Sequence, residues 1–217
     1  MSDLFPTHVE SERLRYDPLH ETVDALDLYE YHRSGELDAV LRPLGETPHA
    51  TPKETLDELD RVRKRWEEGK KASYAITRKA DGERVDGGGE GDAEFVGVAE
   101  LWMEWKHSRT SLGTWIRQPF WGRGYAGERA GAMLVVAFDH LDLDLVDVGH
   151  EPGNEQSRRA IEKYIERYGG QHDASVRNWL PPGDSGGPRD LERYSISQEQ
   201  WRAHVTDDEL ASVVVER

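Results

Sequence analysis

Three glycines, Gly122, Gly124 and Gly127, stand where an apolar strand, Ser111 to Arg117, meets a helix that reads on to Phe138. Residues without side-chain bulk let backbone N–H groups come close to a ligand, and a helix N-terminus adds partial positive charge. Such a junction is a cradle for phosphate. The spacing is a literal G-x-G-x-x-G, and Asp142 or Asp144 follows about 20 residues on, as in a dinucleotide-binding turn. That reading would make the chain an oxidoreductase with a nicotinamide or flavin cofactor. A dinucleotide fold, however, needs repeated strand–helix units, whereas two antiparallel strands precede this loop and mostly antiparallel or irregular sequence follows it.

There is no cysteine among the 217 residues, so any chemistry must use oxygen, nitrogen or backbone groups. Glu100, in the strand Phe95 to Trp105, is a candidate proton acceptor, and Glu104 shares its strand face. In a chain with this many carboxylates, a surface carboxylate is the competing reading for either. His150 ends a strand, and imidazole titrates in a useful range; a structural histidine is the competing reading. The nine histidines show no H-x-x-x-H or related spacing, so no catalytic metal is expected.

The elements that must position these groups are legible in part. Glu12 to Tyr16 reads as a first strand and Glu21 to His32 as a helix. Thr51-Pro-Lys-Glu54 is a capping box with proline at the first helical position, followed by an apolar stripe of Leu56, Leu59, Val62 and Trp66. Ser73 to Arg78 and Glu94 to Trp105 read as antiparallel strands joined by Asp86-Gly-Gly-Gly-Glu-Gly-Asp92, whose carboxylates make it a turn rather than a phosphate loop. Leu143 to His150 is a strand. Asn154 caps a helix with Ala160, Ile161, Tyr164, Ile165 and Tyr168 on one face, ended by Gly169-Gly170. A Pro/Gly-rich loop, Pro181 to Pro188, precedes a last strand, Leu191 to Ser197. A second capping box, Thr206-Asp-Asp-Glu209, opens a tail whose Leu210, Val213 and Val214 could be a contact in a homodimer. The expected organisation is one domain over 1–205 and a short tail over 206–217.

Charge restricts the partners. Forty-three acidic against 28 basic residues leave a net charge of −15, a field that repels nucleic acid and anionic membranes. It fits a surface adapted to a salt-rich cytosol, or an ordinary acidic protein; a salt-adapted chain loses structure when salt is withdrawn. No apolar run has the length of a membrane span and the first residues lack a signal-peptide pattern, so the expected location is cytoplasmic.

Four segments, in order, resemble the GNAT acetyltransferase superfamily, and within it the RimJ/RimL-like branch, which acetylates N-terminal amines of ribosomal proteins and other amines. They are Glu10-Ser-Glu-Arg-Leu-Arg, Leu112-Gly-Thr-Trp-Ile followed by Phe120-Trp-Gly-Arg-Gly-Tyr-Ala126, Asn154-Glu-Gln-Ser157-Arg-Arg-Ala-Ile-Glu-Lys163, and Asp190-Leu-Glu-Arg-Tyr-Ser-Ile-Ser-Gln-Glu-Gln-Trp201. The chain departs from the family where Trp121 replaces a Gln or Arg, where Ile161 stands for a tyrosine acid, and where the helix after Lys163 is longer.

The resemblance implies an α/β (α+β) fold with a mostly antiparallel mixed sheet, splayed at the cofactor strand and flanked by helices. It implies acetyl-CoA as co-substrate, with N–H groups of Gly122, Arg123, Gly124, Tyr125, Ala126 and Gly127 on the pyrophosphate. The strand edge Trp115, Ile116 and Arg117 would pair with the pantetheine, and a backbone N–H there could stabilise the oxyanion. Arg123 and Arg129 could add charge; Arg158 and Arg159 could reach the 3′-phosphate or simply face solvent. Asn154 and Ser157 would lie at the cofactor, with Ser157 placed to protonate the leaving thiolate or to act as a local cap. Glu100 or His150 would deprotonate the acceptor, easily for an α-amine of pKa about 7.7–8.0 and with more help for a lysine near 10.4. The acceptor would be a protein N-terminus, a polyamine or a small amine. The alternative is a protein of the same fold that binds acyl-CoA without turnover.

Overall fold

Register, more than any single helix, positions the site. A computed structural model describes residues 4–42, 45–79, 94–182 and 186–216. The hairpin of β1 (His8–Glu10) and β2 (Leu14–Pro18) leads into short helices α1 (Leu19–Thr22), α2 (Ala25–Arg33) and α3 (Asp38–Leu41), then α4 (Pro52–Glu67). The helix expected from Glu21 to His32 is split because the Asp24 side chain accepts from the Leu26 N–H at 2.8 Å and starts a new helix. α4 begins as its sequence dictates, with the Thr51 side chain accepting from the Glu54 N–H and proline in the first turn.

Strands β3 (Lys71–Arg78), β4 (Glu94–Glu104) and β5 (Arg109–Ile116) form a meander. Helix α5 (Tyr125–Val135) continues as a π turn over residues 136–140, and β6 (Leu145–His150), α6 (Glu155–Arg167), β7 (Gln171–Leu180) and β8 (Arg189–Ser197) follow. The chain ends in α7 (Gln198–His204), α8 (Asp207–Ala211) and β9 (Val214–Glu216). One sheet has the order β7-β8-β6-β5-β4-β3-β2-β1-β9. Among the described residues only β5 and β6 run parallel, and they pair through Arg109–Ser111 with Leu145–Asp147. Beyond that, Leu112–Ile116 parts from Val148–His150, which is the splay expected from the resemblance. A lone parallel pair in an otherwise antiparallel sheet removes the dinucleotide-fold reading.

Alternation, reset by a β-bulge at Val96, sends the two faces of β3 and β4 to different cores. Val96, Ala99 and Leu101 pack with Met133, Leu134 and Val136 of the α5 segment and Ile161 and Ile165 of α6. Ala75, Phe95 and Val98 pack against Leu19, Leu59 and Val62 of α1 and α4. Three strands were not expected from the sequence. β1 and β9 are three residues each and pair with one another; β7 is exposed along nearly all its length and shows no apolar alternation. The segment expected as a tail therefore returns to the sheet through β9. The triple-glycine turn at 86–92 lies outside the described residues.

His32 and His49 stack at 4.0 Å, and the His49 backbone N–H donates to His32 Nδ1 at 3.2 Å, which requires that nitrogen unprotonated. Burial lowers the His32 pKa to about 4. An unfolded histidine takes up its proton near pH 6.5. Stability is therefore greatest above that pH and falls as pH drops toward 4, where the folded ring also protonates. Thermal melts across this window should show that slope, and His32→Phe should flatten it; an equal slope in the variant would place its origin elsewhere.

Candidate active site

The glycine turn is built by backbone geometry. Gly122 and Gly124 adopt φ of +74° and +83°, left-handed values that side chains resist, and Gly124 is the N-cap residue of α5. A Cβ at Gly122 or Gly127 would meet nothing within 4 Å, so the turn opens onto free space. Its first available helical bonds run from Gly127 and Glu128 N–H to the Gly124 carbonyl, leaving the Tyr125 and Ala126 N–H groups without helical partners. Trp121 folds back, its Nε1 donating to the Ile116 carbonyl at 2.6 Å.

The β1–β2 turn braces this loop, a feature sequence reasoning missed. Glu128 accepts from Ser11 Oγ and the Arg13 backbone N–H, each at 2.7 Å, and is ion-paired with the Arg13 guanidinium. Arg13 Nη1 also donates to the Arg123 carbonyl at 3.0 Å and its guanidinium lies over the Tyr125 ring. The only signal was the Ser11-Glu12-Arg13 run inside the opening segment of the resemblance.

From this turn a cleft of about 1050 Å³ runs between the splayed strands and between α5 and α6. Trp115 and Ile116 line it, as do Gly122, Gly124, Tyr125, Ala126, Gly127, His150, Asn154 and Ser157. The sequence also did not single out Leu112, Ala132, Val135 and Val148, which make its apolar wall. Asn154 is occupied as the α6 cap, its side chain accepting from the Ser157 N–H at 3.1 Å. The Ser157 hydroxyl has no partner among the described residues and borders the cleft, so the capping role expected as its alternative belongs to Asn154. His150 is 5% exposed, with Nδ1 2.9 Å from the Glu151 carbonyl and Nε2 3.4 Å from the Tyr194 hydroxyl.

Three expected contacts fall outside the cleft. β5 ends at Ile116, so Arg117 turns inward: it is 2% exposed, donates from Nε to Glu36 at 2.7 Å, and stacks 4.2 Å from the Tyr31 ring. Its side chain pins the α2–α3 region to the sheet, and its backbone N–H, the group expected at the pantetheine, donates to the Val96 carbonyl at 2.9 Å. Arg123 is exposed and its Nε reaches the Pro119 carbonyl at 3.3 Å. Glu100 sits on the sheet face opposite α5, paired with Lys71 at 2.6 Å and accepting from Trp102 Nε1 at 3.1 Å. Its register partner is Gly113, which does line the cleft, and a Cβ there would lie 2.9 Å from a Glu100 carboxylate oxygen. The missing side chain thus leaves Glu100 packed against a cleft-lining glycine. Glu104 is engaged by Arg109 at 2.6 Å, which holds its carboxyl below the usual range.

The acetyltransferase (GNAT) domain model matches residues 13–164. Among curated proteins, the FsC-acetyl coenzyme A-N(2)-transacetylase of Aspergillus fumigatus is 30% identical over 126 residues, 52% of this chain and 50% of that protein. The chain thus spans about half the length of that curated relative. Among solved structures, Mycobacterium smegmatis RimJ in complex with CoA-disulfide superposes with a TM-score of 0.70 at 18% identity, covering 92% of this chain and 91% of that one. Spermidine N-acetyltransferase from Vibrio cholerae, in complex with CoA and spermine, gives 0.64 at 16% identity over 89% and 98% of the two chains. A GCN5-related N-acetyltransferase from Brucella melitensis gives 0.70 at 22% identity over 90% and 80%. At these identities the structural likenesses are of fold.

Proposed function

The chain belongs to the acetyltransferase (GNAT) family, and from that premise we propose that it transfers the acetyl group of acetyl-CoA to a primary amine. The observation that carries this reading is the continuity of one cleft from the Gly122–Gly127 turn, along the free edge of β5, to the Ser157 hydroxyl. The turn supplies N–H donors for phosphate, and the Leu112–Trp115 edge, which faces no other strand among the described residues, offers donors and acceptors for the amides of a pantetheine arm. Acetyl-CoA supplies the activated acyl group as a thioester. The chain's own part is to align it, accept the proton of the attacking amine, and return a proton to the departing sulfur as the C–N bond forms and the C–S bond breaks.

Glu100, behind Gly113, is the group we assign to the amine's proton, and Ser157 the group assigned to the thiolate. Ser157→Ala and Glu100→Gln should each lower kcat by about 10- to 100-fold or more while leaving the affinity for acetyl-CoA within about twofold. Release of free CoA thiol, followed against N-terminal peptides, polyamines and small amines, measures this and identifies the acceptor. Loss of binding in both variants would show these residues holding the fold together, not doing chemistry.

One observation favours a second reading. Glu100 is tied to Lys71, and His150 is held between Glu151 and Tyr194, so neither candidate base stands free in the cleft. A chain that binds acyl-CoA without turnover would share that arrangement. It would bind acetyl-CoA normally, release no thiol with any amine, and be indifferent to Glu100→Gln.

A further inference from the structure

Arg129 is 2% exposed, one turn into α5, yet neither Nε nor Nη1 has a hydrogen-bond partner and no carboxylate pairs with it among the described residues. Other buried guanidiniums are answered: Arg117 by Glu36 at 2.7 Å, and Arg189 by Glu151 at 2.6 Å. The adjacent Glu128 cannot serve, because both of its oxygens are taken by Ser11 and Arg13. The Tyr164 hydroxyl, on α6, is equally buried, lies beside the Arg129 guanidinium and makes no other side-chain or backbone hydrogen bond among the described residues; burial pushes its pKa up to about 12 against the opposing effect of Arg129, so it keeps its proton. Arg129 and Tyr164 both line the cleft that begins at the glycine turn.

An unpaired buried charge is costly, and a planar fork of N–H donors fits two oxygens of an oxyanion. Helical side chains lean toward the N-terminus, which carries the Arg129 head back toward the first turn of α5. We propose that Arg129, with Tyr164, is a buried anion seat that takes a pyrophosphate oxygen of the cofactor in addition to the N–H groups of the turn. The assignment rests on the acetyl-CoA reading above. It also answers an electrostatic difficulty. A chain of net charge −15 must hold a polyanion, and a buried arginine keeps its effect in salt that would screen surface arginines.

The test is calorimetric titration of the full chain with CoA, dephospho-CoA and pantetheine, in low and high salt, alongside melts without ligand. Replacing a buried unpaired charge by an apolar side chain of similar length is commonly neutral or stabilising. Arg129→Met should therefore melt no lower than the wild type, while its affinity for CoA and dephospho-CoA falls about tenfold or more and that for pantetheine is unchanged. Arg129→Lys should fall between. An Arg129→Met chain that fails to fold or melts well below the wild type would make Arg129 structural and overturn the proposal. So would unchanged CoA affinity, a loss confined to CoA and absent for dephospho-CoA, or an equal loss for pantetheine. Absence of CoA binding by the wild type removes the acetyl-CoA reading itself, whereas wild-type binding that survives Arg129→Met removes this assignment alone.

Discussion

Gly124→Glu should abolish acetyl-CoA binding in a chain that still folds. The φ of +83° at Gly124 is strained for any side chain, at roughly 1–2 kcal/mol. There is room for one: a Cβ would meet only Arg13 Nη2, at an ordinary 3.5 Å. That cost alone leaves a protein of this size folded. The added carboxylate, however, would stand at the helix N-terminus where a phosphate is to bind, turning attraction into repulsion. We expect Kd to rise on the order of 100-fold, roughly 3 kcal/mol. Gly124→Ala, which has the strain without the charge, should lose far less. Titration with acetyl-CoA decides it: a Gly124→Glu chain binding like wild type would mean that the cofactor does not use this turn.

The largest effect on stability should come from Gly97→Ala, beside the bulge in the first half of β4. A Cβ at this position would lie well inside contact with the Trp115 carbonyl oxygen and 2.9 Å from Ile116 Cα. Both are backbone of the neighbouring strand, so relief requires β4 and β5 to separate where β5 forms the cleft edge. Overpacking in a core costs about 1–3 kcal/mol, occasionally more, and a backbone neighbour puts this site at the upper end. About 3 kcal/mol would lower Tm by about 6–12 °C for a chain of this length. Because Trp115 and Ile116 line the cleft, acetyl-CoA affinity should fall with it. An unchanged melt would contradict the close β4–β5 approach at Gly97.

The local signals in this chain were legible because they are made of short-range interactions. The caps at Thr51, Asn154 and Thr206 each bond to an N–H three residues on, as their spacing predicted. The glycine turn could be placed by the change from strand to helix, and its backbone conformation follows from residue type. The order of helices around a mostly antiparallel sheet, with a splay after the cofactor strand, was likewise implied by four segments in sequence.

Other features depended on contacts between distant residues. Nothing in the exposed run of β7 announces a strand; β8 makes it one. β9 exists because β1 offers an edge across nearly the whole chain. Arg117 and Ile116 are neighbours, yet the end of β5 sends Arg117 into a core with Glu36 and leaves Ile116 on the cleft. Strand parity decides that Glu100 faces away from α5, and only pairing with Gly113 brings it back against the cleft wall. Arg129 reads on paper as one more positive charge beside a loop. Its burial, and the commitment of its one adjacent carboxylate to Ser11 and Arg13, belong to tertiary structure. Sequence alone determined the glycine turn and the family, because hydrogen bonds three or four residues apart and backbone preferences are local. Tertiary structure alone decided which charges are free to meet a ligand, because that depends on what the rest of the chain has already paired.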